Sequence, residues 1–284
     1  LYSEAKGWKA SNNIEISTLR RYQTTWEKFI EPYEISGKDI RKITAEDWTE
    51  HYETIIRKFS LTKKQVNNIR DVVSMITAYA QKKKIISHNT AKDVLYEDLP
   101  YKQTAAYNSV KVKPFTEDAA RRITEWCFSE LSSRRRKKQY LLAIVINMIL
   151  GLRFAELYAL KWQNIDFREK MIAVKSQAVY DYELDEDLRF VNHGRKITDH
   201  IKGYEEERYL PLPDDLAQVF MQIKTLGLSD EYVFPHFRYN TYNNIIKEAA
   251  EAIGLDRNDY RTHSLRATAA TLLYQRTHDI YQVQ

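Results

Sequence analysis

Residues 141–152 read LLAIVINMILGL, an almost unbroken apolar run. It is shorter than the ~20 residues needed to cross a bilayer, and it contains Asn147. It therefore predicts a helix buried on all sides, around which one domain of this chain must be built. The rest of the chain supplies the means: 43% of its 284 residues are hydrophobic and 12% aromatic. Glycine and proline together number only 13, and 29% of residues are charged. These proportions exclude collagen, low-complexity polymers and a wholly disordered chain. The single cysteine, Cys127, excludes an intrachain disulfide and a cysteine-rich zinc site, and fits a reducing cytoplasm. The N-terminus LYSEAKGWKASNN has no apolar signal core.

The net charge of +5 is unevenly spread. Residues 1–112 carry 19 Lys and Arg against 14 Asp and Glu, and residues 113–284 carry 25 of each. The excess in the first part is compatible with an anionic partner or with an uneven soluble surface.

Helical periodicity dominates residues 14–100. Leu19, Tyr22, Trp26, Phe29 and Ile30 form one face of a helix over 14–33, with Thr18 as an internal cap and Pro32 as its stop. A second helix is expected over 43–59, with Thr44 and Asp47 as a capping box. A third spans 61–80. Val66, Ile69, Val73, Ile76 and Tyr79 line one of its faces, and Lys63, Lys64, Asn67, Asn68 and Arg70 the other. Residues 101–113, YKQTAAYNSVKVK, lack periodicity and acidic groups and read as a linker. Thr116 then caps a helix to about Leu131, followed by the basic patch Arg134–Lys138 and the buried helix. Met171 to Tyr182 reads as a strand and Leu184 to Asp199 as irregular. Short alternating runs around Lys202-Gly203 suggest a hairpin joining Ile197–Ile201 to Arg208–Leu212. Helices return at 213–226, 239–253 and 263–276. No internal repeat is evident.

Three segments carry candidate chemistry: Gly151-Leu152-Arg153-Phe154-Ala155-Glu156-Leu157, Lys202-Gly203 ahead of Arg208-Tyr209-Leu210-Pro211, and His263-Ser264-Leu265-Arg266. Each alone is compatible with a plain role: a helix start with an exposed ion pair, a hairpin tip, a helix cap. Their conjunction and order resemble the catalytic domain of the tyrosine recombinase (phage-type integrase) family. There, an Arg in G-L-R-x-x-E-L, a hairpin Lys and a His-x-x-Arg pair surround one scissile phosphate. The basic first domain further resembles integrases of conjugative transposons and related mobile elements.

The resemblance implies a mainly α fold. A helical core-binding domain (a SAM-like helical bundle) at 1–100 is joined by the linker 101–113 to an α+β catalytic domain with a small antiparallel sheet at 114–284. Arg153 and Arg266 would grip the non-bridging phosphate oxygens through paired, charge-assisted hydrogen bonds. Preorganised donors of this kind are worth ~3–4 kcal/mol each. His263 would donate to the phosphate or take the proton of the nucleophile. Glu156 would orient Arg153 or the His. Lys202, with Lys196 as its competitor, would protonate the leaving 5′ oxygen. No metal, ATP or other cofactor is implied.

The family's nucleophilic Tyr should lie roughly thirty residues past the second Arg, which falls beyond Gln284. Tyr274 and Tyr281 are too close to Arg266, so the chain as it stands is expected to bind DNA without cleaving it. Lys63, Lys64, Asn67, Arg70, Lys111 and Arg238 are the candidate contacts to double-stranded DNA, with Lys102 and Lys113 beside Lys111 in the linker. Expected partners are further copies of the chain, as dimer and tetramer on DNA, and an excisionase-type accessory protein. Two other readings compete: a non-catalytic DNA-binding regulator that kept the clamp, and a helical interaction protein with no nucleic acid.

Overall fold

The computed structural model describes residues 1–12, 14–102, 112–133, 137–199 and 207–279. The chain forms two compact units. Leu1–Ser109 with Tyr180–Gly194 make the first, and Val110–Val179 with Arg195–Gln284 the second.

Unit one is built from α1 (Tyr2–Ala10), α2 (Ile16–Phe29), α3 (Ala45–Phe59) and α4 (Lys63–Lys82). The starts of α3 and α4 are written in the sequence. Thr44 Oγ1 accepts from Asp47 N at 3.2 Å, and Asp47 Oδ2 accepts from Thr44 N at 2.9 Å. Thr62 and Gln65 repeat this arrangement ahead of α4. Each such cap contributes about 1 kcal/mol by satisfying amides that the helix leaves without partners. The expected apolar face of α4 is buried in a core it shares with Tyr52, Ile55 and Ile56 of α3, and α4 packs on α1 and α2. Two details of the sequence reading need correction. Thr18 lies inside α2, whose N-cap is Glu15. Residues 2–10, which carry no strong amphipathic signal, are helical because Ala5 is sealed in the core and Tyr2 stacks on Trp26 at 4.3 Å.

In unit two, α5 (Glu117–Ser129), α6 (Lys138–Leu150), α7 (Phe154–Ala159), α8 (Asp214–Thr225), α9 (Tyr239–Ala252) and α10 (Thr262–Thr277) accompany a three-stranded sheet. The apolar run of the sequence is α6, and every residue from Tyr140 to Met148 is buried. Thr116 caps α5, its Oγ1 accepting from Ala119 N at 3.2 Å. The sheet has the order β1 (Ile165–Asp166), β2 (Met171–Val174), β5 (Arg208–Pro211), and both pairings are antiparallel. Ile172 faces Leu210 and Val174 faces Arg208 in that register.

The expected single strand over 171–182 is two strands. β2 ends at Val174, and β3 (Gln177–Leu184) pairs with β4 (Phe190–Thr198) in a separate ribbon. Residues 184–199, read as irregular, therefore contain a strand. Val191, Asn192, His193 and Gly194 of β4 are exposed, so no apolar alternation marks it. The run at Arg208 pairs with β2, Arg208 lying opposite Val174, and among the described residues not with the Ile197 run. Lys202 and Gly203 lie outside the described residues, as do Arg134–Arg136, Lys111 and most of the expected linker. The tip of the β3–β4 ribbon packs within unit one, where the buried Lys6 donates to Gln23 and to the Leu188 carbonyl and lies over the Phe190 ring at 4.5 Å. No helix among the described residues is long and apolar enough to cross a membrane.

Candidate active site

The site begins where α6 stops. Gly151 is its C-cap, with a left-handed backbone (φ +60°). A side chain there would meet more than strain, because an added Cβ would sit 3.0 Å from the Cβ of Ala269 on α10. Glycine thus lets the α6 end press against α10. Leu152 is buried, and Arg153 follows as the N-cap of α7. Glu156 occupies the third helical position, and its Oε2 accepts from the Arg153 backbone N at 2.8 Å. Its Oε1 accepts from Arg153 Nη1 at 2.9 Å. One carboxylate therefore ties down both the backbone and the guanidinium of Arg153.

Glu156 has a side chain with no solvent exposure. A buried carboxylate must be paired. Its second partner is Arg208 at the start of β5, with Nη2 to Oε2 at 2.6 Å and Nη1 to Oε1 at 3.2 Å. Burial pushes the Glu156 carboxyl upward. The hydrogen bonds and charge of Arg208, with the hydrogen bonds of Arg153, reverse that and leave it below the ordinary carboxylate value. Sequence reading passed over Arg208 as a landmark beside Lys202. The signal available was an Arg opening a strand, which is weak without knowledge of what lies opposite.

α10 brings the third part. Asn243 of α9 accepts from Thr262 N at 3.2 Å, and Ser264 Oγ accepts from Arg261 N at 3.2 Å, which fixes the start of α10. Thr268 Oγ1 accepts from Phe115 N at 2.8 Å, binding α10 to the segment before α5. Arg266 Nη1 donates to the Gly151 carbonyl at 2.6 Å. His263 is exposed in the first turn of α10, one turn ahead of Arg266 on the same face. Arg208, Gly151 and Arg266 share the wall of one cavity of about 350 Å³. Its remaining lining is mostly apolar, from α6, β5 and α10.

The structure thus brings Arg153, Glu156 and Arg266 of the expected set together, with His263 at the same helix start. Of the two roles expected of Glu156, its hydrogen bonds among the described residues correspond to orienting Arg153. Lys202 lies outside the described residues. Lys196 stands exposed on β4. Lys175, directly after β2, pairs with Glu207 at 2.8 Å. Lys63, Lys64, Asn67 and Arg70 are exposed on α4, with the Arg70 guanidinium 4.3 Å from the Tyr96 ring centroid. Lys111 lies outside the described residues. Arg238 is the exposed N-cap of α9, its backbone N donating to the Tyr140 hydroxyl at 3.2 Å. Among the described residues, no three His, Cys, Asp or Glu side chains are grouped to hold a metal ion.

A buried helix packed against four others and a small sheet form a unit in which Arg266 bonds the carbonyl two residues before Arg153. Residues 113–284 match the model of the phage integrase family, and the chain belongs to that family. It is 25% identical over 282 residues to a tyrosine recombinase XerC-like protein of Caldanaerobacter subterraneus subsp. tengcongensis, a match covering 92% of this chain and 68% of that protein. Its fold is that of the Tn1549 transposon integrase in complex with transposon right-end DNA (TM-score 0.75, 15% identity, all of this chain and 89% of that one). It is also that of the XerH site-specific recombinase bound to palindromic difH substrate (TM-score 0.64, 14% identity, 97% of this chain and 74% of that one).

Proposed function

We propose that this chain acts in site-specific DNA recombination, integrating or excising a mobile element by cutting and rejoining double-stranded DNA. The observation that carries this reading is the bond from Arg266 to the Gly151 carbonyl, which joins the His263–Arg266 segment to the loop bearing Arg153. Two guanidiniums held this way suit the oxygens of one phosphodiester, whose charge grows as it is attacked. The family membership supports the same chemistry. The DNA complexes of the Tn1549 integrase and XerH support DNA as substrate, and the Tn1549 likeness supports a transposon as the source.

In this reading a tyrosine oxygen attacks phosphorus while the bond to the 5′ oxygen breaks. His263 takes or relays the tyrosine proton, and Lys202 gives a proton to the leaving 5′ oxygen. The 3′-phosphotyrosyl link keeps the bond energy, and the 5′ hydroxyl of a partner strand later attacks it and releases the tyrosine. No nucleotide cofactor is consumed. Tyr274 is not the nucleophile here. It lies eight residues past Arg266 on the same helix, about 12 Å along its axis. The protein works in the cytoplasm, as protomer pairs on each site and four protomers per synapse.

The test is a nicked suicide DNA carrying the element's end, incubated with the natural gene product and run on a denaturing gel. A covalent adduct that is lost in Arg266→Ala supports the reading. Lys202→Ala should slow adduct formation much more than Lys196→Ala, and the reverse order would move the general acid to Lys196. Tight, salt-sensitive binding without an adduct would instead identify a non-catalytic DNA clamp. An adduct from residues 1–284 alone would return the nucleophile to Tyr274 or Tyr281.

A further inference from the structure

The feature of unit two that this chemistry leaves unused is Arg208. Its side chain is only 17% exposed and meets Glu156 as a fork, with one nitrogen to each carboxylate oxygen. Arg153 bonds the same two oxygens, through its backbone N and its Nη1. The carboxylate thus has four donors from two residues, and its orientation is set from two sides. The charged groups that face it, among the described residues, are Arg153 from the start of α7 and Arg208 from β5.

Of the two guanidiniums on Glu156, Arg153, at 35% exposure, is the more open. Arg208 also lies opposite Val174 in the sheet register, so its fork transmits the position of β2 and β5 to the N-cap of α7.

We infer that Arg208 is a positioning residue for phosphate recognition: through Glu156 it fixes the orientation of Arg153. This inference rests on the recombinase reading for its kinetic consequence and on the geometry alone for its effect on Glu156.

Two measurements on Arg208→Met and Arg208→Lys test it. The first follows the Glu156 carboxyl by carbon NMR in the 284-residue chain as pH is lowered. Arg208→Met should move its titration to higher pH, and Arg208→Lys should return most of the shift. A carboxyl that titrates as in the parent protein in Arg208→Met overturns the inference, whether or not the protein cleaves DNA.

The second is the single-turnover rate of adduct formation by the natural gene product at saturating protein. Arg208→Met should lower it by roughly 10- to 100-fold, the cost of a misplaced catalytic group, with the acid limb of the rate profile moved upward. DNA affinity and its salt dependence should stay near the parent values, and Arg208→Lys should recover much of the rate. A salt slope reduced by about one would make Arg208 a direct phosphate contact and overturn the inference. So would a loss of rate that neither changes the pH profile nor responds to Lys, the mark of a merely structural role. A parent protein that makes no adduct while the Glu156 shift appears would sink the recombinase reading and leave the Arg208–Glu156 coupling standing.

Discussion

Arg266 Nη1 donates to the carbonyl oxygen of Gly151 at 2.6 Å, across 115 residues of chain. The bond needs two things at Gly151: a left-handed backbone that turns the carbonyl, and no side chain between it and α10. It makes the end of the most buried helix a part of the site.

Gly151→Ala should therefore cost more than a typical glycine substitution. The left-handed backbone alone is worth about 1–2 kcal/mol against alanine, and the contact with Ala269 adds to it. Urea unfolding should show the loss. Adduct formation should fall further than stability accounts for, because Arg266 loses its anchor. Parent-like stability and rate would show that α10 shifts freely at this point.

Glu156→Gln removes the one negative charge that two guanidiniums share. Breaking a buried pair of this kind destabilises by about 3–5 kcal/mol. The pH dependence has a definite sign. Glu156 is held below its ordinary value of 4.5, so its contribution is complete above that value and is lost as pH falls through the lowered one. The stability gap between parent and Glu156→Gln should be widest near neutral pH and close in acid. A gap that does not change between pH 7 and pH 3 would contradict this.

His51, on α3 of unit one, is buried beside Tyr33. Burial holds its imidazole at about 4, down from 6.5, against a smaller opposing effect of a backbone hydrogen bond at Phe29. A histidine kept neutral in the fold makes the fold lose stability as pH drops from 6.5 toward 4. The full loss is roughly 3 kcal/mol. His51→Phe should remove that limb, which thermal unfolding at pH 7 and pH 5 would reveal.

Lys63, Lys64 and Arg70 are exposed on α4, so alanine there should change stability by no more than about 0.5 kcal/mol. If they meet DNA phosphates, each substitution should flatten the plot of log affinity against log salt by about 0.9. Fluorescence anisotropy across a salt series measures this. An unchanged slope in the triple variant would assign α4 a solvated face with no role in DNA binding.

The Thr44–Asp47 and Thr116 caps, the apolar face of α4 and the burial of α6 were all legible in the sequence. The motifs also singled out Arg153, Glu156, His263 and Arg266, of which Arg153 pairs with Glu156 and Arg266 bonds the Gly151 carbonyl. β4 was not legible, because an exposed ribbon has no core face to impose a period on its residues. Lys6 was not either, since a lysine near a chain terminus reads as solvated until Gln23 and the Leu188 carbonyl are found around its amine.

What the sequence determined by itself is therefore what a few neighbouring residues decide: caps, helical faces and the apolar core helix. Tertiary structure alone decided that Arg208 reaches Glu156 from 52 residues away and that β5 pairs with β2 across the intervening ribbon. A cap or a helical stripe is settled by contacts three or four residues apart. A buried carboxylate takes whichever cation the closed fold brings to it, and that partner is set by sheet register and burial and leaves no periodic mark in the chain.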